Sequence, residues 1–209
     1  MIAELETNGF TWARGIASNL PLLETIRGGL RNGLDHEPIA GFTRQPWLRS
    51  LVTEALGPAP FCVRAIVFDK KRGANWGVAW HQDLAIAVHQ RAEVPGFGPW
   101  SVKAGVPHAL APDSVLTRMV ATRIHLDDCG PTDGPLRVIA GSHRRRLDDA
   151  GPAARPVTEC VARRGDVLLL RPLLLHSSAK AAAPSHRRVL HLEWSNAPLP
   201  APLRWRWHA

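Results

Sequence analysis

Cysteine is scarce in this sequence, and the cysteines that occur do not form a recognisable motif. Their number is odd and no Cys-x-x-Cys is present; they are Cys62, Cys129 and Cys160. A disulfide framework and a cysteine-based zinc site are therefore not expected. Reduced structural thiols fit a cytoplasmic protein, which is the location we predict.

Long apolar runs are also missing. The longest candidate, 167–175, is interrupted by Arg171 and Pro172 and falls well short of the roughly 20 residues that span a bilayer. The N-terminus lacks the charged, apolar and small-residue sections of a signal peptide. The chain has 209 residues, of which 45% are hydrophobic and 21% charged, and this balance predicts one globular domain covering 1–209.

Acidic residues are fewer than basic ones, and the formal net charge is +8. A basic chain raises the question of nucleic-acid binding. The basic groups are short and scattered, at 70–72, 144–146, 163–164 and 187–188, and no basic helix, zinc finger or RNA-recognition motif accompanies them. A solvated basic surface is the simplest interpretation, a preference for anionic small molecules comes next, and non-specific nucleic-acid contact is third.

Two segments near the N-terminus have the apolar spacing of helices. They are residues 20–34, with Pro21 near the start, and residues 45–56, which end at Gly57-Pro58. Beyond Pro60, short apolar segments separated by turn residues predict β-strands. The predicted strands are 61–68, 78–87, 116–126, 136–139, 160–162, 166–170, 174–178 and 188–194. This order predicts a mainly β fold, a jelly roll with flanking N-terminal helices.

Residues 90–114 are rich in Pro and Gly and have no clear periodicity, so we predict a long loop there. Such loops inside a compact domain are usually functional or disordered, and we interpret this one as a lid or substrate loop. Residues 204–207 alternate arginine and tryptophan. They fit either an edge strand with packed aromatic rings or an exposed contact patch.

Three His-x-carboxylate pairs occur in the chain. Residues i and i+2 of a strand point to the same side, so such a pair can direct two ligands at one metal ion. Two imidazoles and one carboxylate leave coordination positions open, as in non-haem Fe(II) oxygenases. The pairs are His81-Gln82-Asp83, His125-Leu126-Asp127 and His191-Leu192-Glu193.

Sequence context favours the first of these pairs, although each is weak alone. The second pair runs into turn residues, and the third lies near the end of the chain with only His208 downstream. The pair formed by His81 and Asp83 is followed by an apolar segment that suits a strand interior. It also has a later histidine, His176, at the end of an apolar strand.

A possible carboxylate-binding feature follows His176. A cosubstrate such as 2-oxoglutarate chelates iron at one end and places its far carboxylate in a closed pocket, where the planar fork of an arginine fits it. Arg187 and Arg188 begin the next predicted strand, so one of the two should face the same interior as His176. Ser178 shares the face of His176 and can donate a hydrogen bond to the same carboxylate.

Taken in order, these motifs resemble the phytanoyl-CoA dioxygenase family of Fe(II)/2-oxoglutarate-dependent oxygenases, over about residues 61–194. The matching stretches are Trp80-His81-Gln82-Asp83, Gly134-Pro135-Leu136-Arg137-Val138, Gly141-Ser142-His143, Gly165-Asp166-Val167, His176-Ser177-Ser178 and Arg187-Arg188. The ordered set is far more specific than any one motif. The family fold is a double-stranded β-helix, a jelly roll, which agrees with the predicted strands.

For the metal, the resemblance implies Fe(II) bound by His81, Asp83 and His176. Halogenating relatives lack the carboxylate, so Asp83 indicates hydroxylation rather than halogenation. The implied reaction uses O2 to hydroxylate a C–H bond of a small metabolite or acyl-type substrate and releases succinate and CO2.

For the cosubstrate, the resemblance favours Arg187 over Arg188 as the anchor of 2-oxoglutarate and places Ser178 and Gln82 beside it. Arg123 falls where the family often has an aromatic residue lining that pocket. An arginine at this position can add a charge to the pocket or be a surface substitution.

Two other classes of function stay open at this point. A jelly-roll protein that binds a metal or ligand without turnover would keep the same fold, and a basic nucleic-acid-binding module is the third candidate. The expected partner is a small-molecule substrate, with an anionic one as a candidate, and no specific nucleic acid. Candidate substrate contacts are Trp100, Lys103, His108 and His125.

Overall fold

The computed structural model describes residues 1–17, 20, 29–147, 155–182 and 186–209. Within these residues the α-helices are α1 (Ile2–Asn8), α2 (Glu37–Phe42), α3 (Pro46–Leu56) and α4 (Asp113–Leu116). The strands are β1 (Phe10–Ala13), β2 (Phe61–Lys70), β3 (Val78–His81), β4 (Ala85–Ala87), β5 (Trp100–Lys103), β6 (Val106–Leu110), β7 (Met119–His125), β8 (Leu136–Val138), β9 (Thr158–Cys160), β10 (Val167–Leu170), β11 (His176–Ser178) and β12 (Arg187–Ser195).

The strands form three antiparallel sheets. A five-stranded sheet has the order β1-β10-β7-β12-β2, a four-stranded sheet has the order β3-β11-β8-β9, and a hairpin sheet has the order β4-β6-β5. In the five-stranded sheet no two neighbouring strands are consecutive in sequence, which is typical of a jelly roll rather than a meander. The predicted mainly β, jelly-roll fold is confirmed.

The N-terminal helices pack on the outer face of the five-stranded sheet. Side chains of α1, α2 and α3 share one hydrophobic core with alternate residues of the sheet, among them Leu190, Leu192 and Trp194 of β12. Residues between these, such as His191 and Glu193, point to the opposite face, because side chains alternate along a strand. The outer face is therefore apolar and covered, and the inner face is left for polar side chains.

Helix α3 confirms the helix predicted at 45–56. Pro46 occupies its first turn, where its missing N–H has no cost, and Gly57 ends it with a φ of 84°. The helix predicted at 20–34 falls largely outside the described residues. Its last part is wrong, because Leu30 forms a β-bridge with Val67 and a 3-10 turn follows at Gly33–Asp35.

The strand predicted at 78–87 is divided into β3 and β4. Backbone groups around residues 82 and 83 bond outside the sheet: the N–H of Asp83 donates to Pro172 at 2.8 Å. Asp83 therefore lies two residues beyond the end of β3 rather than within a continuous strand. The other predicted strands recur with boundaries shifted by a few residues.

The prediction of a loop without regular structure at 90–114 is wrong for its second half. Strands β5 and β6 form a hairpin in which Lys103 pairs with Val106, and Ala104 and Gly105 make the two-residue turn. Both turn residues have positive φ, 49° and 78°, as a tight hairpin turn requires. Alanine rarely adopts this conformation, so the usual sequence rules for hairpin turns do not predict a turn at Ala104-Gly105.

The arginine and tryptophan tail is packed against the domain. Trp205 is buried, forms a bridge with Val88 and donates its indole N–H to the carbonyl of Ala197 at 2.9 Å. Trp207 donates to the carboxylate of Asp35 at 2.7 Å. Of the two interpretations of the tail, the packed one agrees with these contacts.

Gly134 offers a test of how tightly the turn before β8 packs against residues 179–181. Its φ is 63°, and a Cβ built there lies 2.4 Å from the carbonyl oxygen of Ala179, whereas at Gly105, with φ 78°, a Cβ meets nothing within 4 Å. We expect Gly134→Ala to lower the free energy of unfolding by about 3 kcal/mol. Gly105→Ala, which carries backbone strain alone, should cost about 1 kcal/mol. Equal losses in urea denaturation would contradict the close approach.

Candidate active site

A cavity of about 340 Å³ lies between the five-stranded and the four-stranded sheet. We call it the central cavity. The five-stranded sheet contributes inward residues of β2, β7 and β12, and the four-stranded sheet contributes residues of β3, β8 and β11. Its walls combine a few apolar side chains with an unusual number of charged ones.

The three predicted metal ligands meet in this cavity. His176 begins β11 and lies directly opposite His81 in the pairing of β11 with β3, so the two imidazoles are cross-strand neighbours with ring centroids 4.2 Å apart. Asp83 lies 3.5 Å from the Nε2 of each histidine, measured to one carboxylate oxygen apiece. One ligand atom from each residue lies within 4.8 Å of the other two, a spacing that fits a single metal ion.

Backbone carbonyls orient both imidazoles. The Nδ1 of His81 lies 2.8 Å from the carbonyl oxygen of Ala79, and the Nδ1 of His176 lies 2.8 Å from that of Leu174. A carbonyl can only accept, so Nδ1 carries the proton and Nε2 presents its lone pair to the centre of the cluster. This arrangement is what a neutral imidazole needs to bind a metal.

The charge states of the cluster also suit a metal. Burial lowers the pKa of His176 to about 4, so this imidazole is neutral at pH 7. Burial opposes ionisation of Asp83, but interactions with the neighbouring imidazoles of His176 and His81 outweigh it and hold the pKa of Asp83 well below its usual range. Two imidazoles and an ionised carboxylate on one side of a cavity leave the other side open to further ligands.

Strand alternation separates the two consecutive arginines. Arg187 faces the central cavity, is 3% exposed and donates from Nη2 to the carbonyl of Gly134 at 3.0 Å. Arg188 faces the other way and holds Asp127 with two side-chain bonds of 2.9 and 2.8 Å. Within the described residues Arg187 has no carboxylate partner, and burial lowers its pKa. The geometry therefore favours Arg187 as the arginine whose guanidinium is available to bind a carboxylate in the cavity.

Two further cationic side chains, Lys70 and Arg123, lie near Arg187. Lys70, opposite it in β2, donates to the carbonyl of Ala179 at 2.6 Å and lies 3.4 Å from the hydroxyl of Ser178. Burial and the charges of Arg187 and Arg123 lower the pKa of Lys70 to about 8. Burial and Arg187 likewise lower the pKa of Arg123 to about 10. We call Lys70, Arg123 and Arg187 the inner cationic cluster.

Some predicted contacts lie elsewhere. Gln82 does not reach the central cavity: its amide donates to the carbonyls of Arg145 and Leu173, at 2.9 and 2.6 Å, and accepts the N–H of Leu147 at 2.9 Å. The polar atoms of Gln82 thus bond to the backbone, and Gln82 is not among the residues that line the cavity. Of the four candidate substrate contacts, Lys103 lines the cavity, and Trp100, His108 and His125 are not among its lining residues.

Sequence reasoning missed a buried ion pair in the cavity wall. Arg64 of β2 lies opposite Glu193 of β12 and contacts its carboxylate at 3.1 Å, and the Nε2 of His191 lies 3.6 Å from the same oxygen. The pair His191 and Glu193 was set aside as a metal site, yet it faces the cavity. The signal was the period-two pattern of β2, in which Arg64, Ile66, Phe68 and Lys70 share the inner face.

Comparison with solved structures shows what the fold resembles. AviO1 from Streptomyces viridochromogenes is 21% identical, with 96% of each chain covered and a TM-score of 0.69. The non-haem α-ketoglutarate-dependent epimerase SnoN from nogalamycin biosynthesis is 15% identical, with 94% of this chain and 80% of that chain covered and a TM-score of 0.70. The carbocyclase SnoK from the same biosynthesis is 12% identical, with 94% and 83% covered and a TM-score of 0.70.

A complex of SnoN holds Fe3+, α-ketoglutarate and nogalamycin RO. A search of curated proteins finds no match. Within the described residues no helix is long and apolar enough to cross a membrane. The sequence model of the phytanoyl-CoA dioxygenase family matches residues 31–189, which is most of the chain. The chain therefore belongs to the phytanoyl-CoA dioxygenase family.

Proposed function

We propose that this protein is a non-haem Fe(II)- and 2-oxoglutarate-dependent dioxygenase that hydroxylates a C–H bond of a small molecule. The observation that carries the proposal is the position of His81, Asp83 and His176 beside a cationic cluster for which the described residues supply no carboxylate partner. Neither feature alone is decisive, because histidines are often structural and cations often face solvent. Because both line one cavity, the triad can bind the metal ion while the cationic cluster binds the carboxylate of a ligand on that ion.

The triad residues fit Fe(II) through their donor set. The two Nε2 atoms and the carboxylate of Asp83 would bind the ion on one side and leave the cavity side open. Fe(II) held there supplies the redox chemistry that couples decarboxylation of 2-oxoglutarate, to succinate and CO2, with oxidation of a substrate C–H bond. The carboxylate ligand supports hydroxylation, because it occupies the position that halogenation needs for a halide.

The inner cationic cluster would hold the distal carboxylate of 2-oxoglutarate. Arg187 offers a planar fork, Lys70 and Arg123 add charge, and Ser178 offers a hydroxyl. The carbonyl of Gly134 holds one end of the Arg187 side chain, so the guanidinium keeps its direction before the ligand arrives. Ile66 and Phe68 of β2 line the cavity between Lys70 and Arg64 and add apolar surface to its wall.

The first test removes the carboxylate ligand. With Fe(II) and 2-oxoglutarate, the wild-type protein should form succinate in an oxygen-dependent manner, and Asp83→Ala should abolish this because the triad loses its only anionic ligand. Asp128→Ala, which removes an exposed carboxylate outside the cavity, should retain it. Full turnover in Asp83→Ala would sink the assignment. Binding of Fe(II) and 2-oxoglutarate without succinate formation would instead favour a binding protein of the same fold.

The second test compares the consecutive arginines. Arg187→Met should weaken 2-oxoglutarate binding by roughly 30-fold or more, because removing a buried charged donor costs about 2–5 kcal/mol. Arg188→Met breaks the contact with Asp127 and should lower stability while leaving the dissociation constant for 2-oxoglutarate within about threefold of wild type. Anaerobic calorimetry with Fe(II) measures both constants. Equal weakening in the two variants would remove Arg187 from its assigned role.

The third test uses the lowered pKa of Lys70, about 8. Below this pH Lys70 is charged and attracts the dicarboxylate, and above it the charge is lost. The dissociation constant for 2-oxoglutarate should therefore be flat near pH 7 and rise as the pH passes 8, by at most about tenfold per pH unit. Lys70→Met should bind more weakly at pH 7 and lose this rise. The same rise in Lys70→Met would assign the titration to another group.

A further inference from the structure

The central cavity has two charged ends. Along β2, Lys70 and Arg64 share the inner face six residues apart, which corresponds to about 20 Å of strand. The register with β12 places Arg187 opposite Lys70 and Glu193 opposite Arg64. The inner cationic cluster therefore marks one end, and the pair of Arg64 and Glu193 marks the other.

A second group of cations lies at the Arg64 end. Lys103 ends β5 at the tip of the β5–β6 hairpin and lines the cavity together with Arg31. The side chain of Asn32 donates to the carbonyl of Ala104 at 3.0 Å, which ties the hairpin tip to the segment carrying Arg31. We call Lys103 and Arg31 the outer cationic pair.

The outer cationic pair is unpaired among the described residues, whereas Arg64 is held by Glu193. Burial lowers the pKa of Lys103, followed by the charge of Arg64, and Arg31 acts in the same direction, which agrees with their proximity. Among the charged groups that act on Lys103, the largest effects come from Arg64 and Glu193 at this end of the cavity. The charge of Asp83 acts on both Lys103 and Arg123, which agrees with a position of the triad near both cationic groups.

The side chains that line the cavity carry an excess of positive charge. Within the part of the chain that the structure describes, six cationic side chains line it, namely Arg31, Arg64, Lys70, Lys103, Arg123 and Arg187, against the two carboxylates of Asp83 and Glu193. The difference between these arginine and lysine side chains and the two carboxylates is four positive charges. Bound Fe(II) would add two positive charges and 2-oxoglutarate would add two negative charges, so the excess of four positive charges would remain. Uncompensated like charges in a partly buried site repel each other, and an anionic ligand relieves that repulsion.

We propose that the outer cationic pair binds a carboxylate or phosphate group of the substrate, so that the enzyme acts on a small anionic metabolite. This inference rests on the proposed function, which assigns the inner cluster to 2-oxoglutarate and the triad to Fe(II). The substrate lies along the cavity with its anionic group between Lys103 and Arg31 and its reacting carbon toward the triad. The buried Arg64 and Glu193 form the adjoining wall and offer hydrogen bonds to polar groups of the substrate.

The test distinguishes the two anion sites by saturating the inner cationic cluster with 2-oxoglutarate before the outer cationic pair is probed. Protein loaded anaerobically with Fe(II) and saturating 2-oxoglutarate is titrated by calorimetry with sulfate, a soluble stand-in for phosphate, and with acetate as the carboxylate probe. At least one probe should bind with a dissociation constant of about 1–10 mM, as expected for one small anion. Lys103→Met should weaken that binding about tenfold. Arg118→Met, which removes an exposed charge outside the cavity, should not.

Three results would overturn the inference: neither probe binds the loaded protein, the probe competes with 2-oxoglutarate, or Lys103→Met binds it as well as wild type. Stronger binding of sulfate than acetate would indicate a phosphate in the substrate, and the reverse a carboxylate. Failure of the proposed function has a different signature, because the protein would then either not bind 2-oxoglutarate or bind it without forming succinate when oxygen is admitted. Arg187→Met completes the comparison: it should lose 2-oxoglutarate and keep the probe.

Discussion

The register of β12 between β2 and β7 decides which side chains enter the cavity. Along β12, Arg187, His191 and Glu193 point inward, while Leu190 and Leu192 point to the helices. A slip of one residue would exchange the two sets and bring leucines into the cavity. The apolar outer face prevents that slip, because it would expose leucines and bury charges against α3. The hydrophobic core under the helices thus fixes the position of the charged residues on the opposite face.

The same principle places the metal triad, with one addition. Pairing of β11 with β3 sets His176 beside His81, but Asp83 lies beyond the end of β3. Its backbone N–H is bonded to Pro172, in the turn that leads to β11. Gln82 strengthens this arrangement, because its amide bonds to the carbonyl of Leu173 in the same turn. Gln82 therefore helps to position the triad without contacting the cavity, because its hydrogen bond connects the segment that carries His81 and Asp83 to the turn before His176.

The sequence was sufficient for features that depend on local spacing. Helix α3 and most strands follow from periodicity and turn residues. Sequence context indicated His81, Asp83 and His176 as one group and Arg187 or Arg188 as the anchor, and the resemblance favoured Arg187. Features that depend on pairing between distant strands were not accessible. Arg64 meets Glu193 only because β2 and β12 are neighbours, although 129 residues separate them. The β5–β6 hairpin was missed for a local reason, since Ala104 adopts a turn conformation that sequence rules reserve for Gly, Asn or Asp.

Burying so much positive charge has a cost to stability. Burial and mutual repulsion lower the pKa values of Lys70 and Arg123, which means that the folded protein holds these protons less firmly than the unfolded chain does. Apolar residues of similar size would fill the same space at a lower free energy. The apolar side chains Ile66 and Phe68 on the same face show that the strand accommodates them. Cations kept in such a position would stabilise a bound anion more than they stabilise the fold, which is the physical reason for proposing an anion at each end of the cavity.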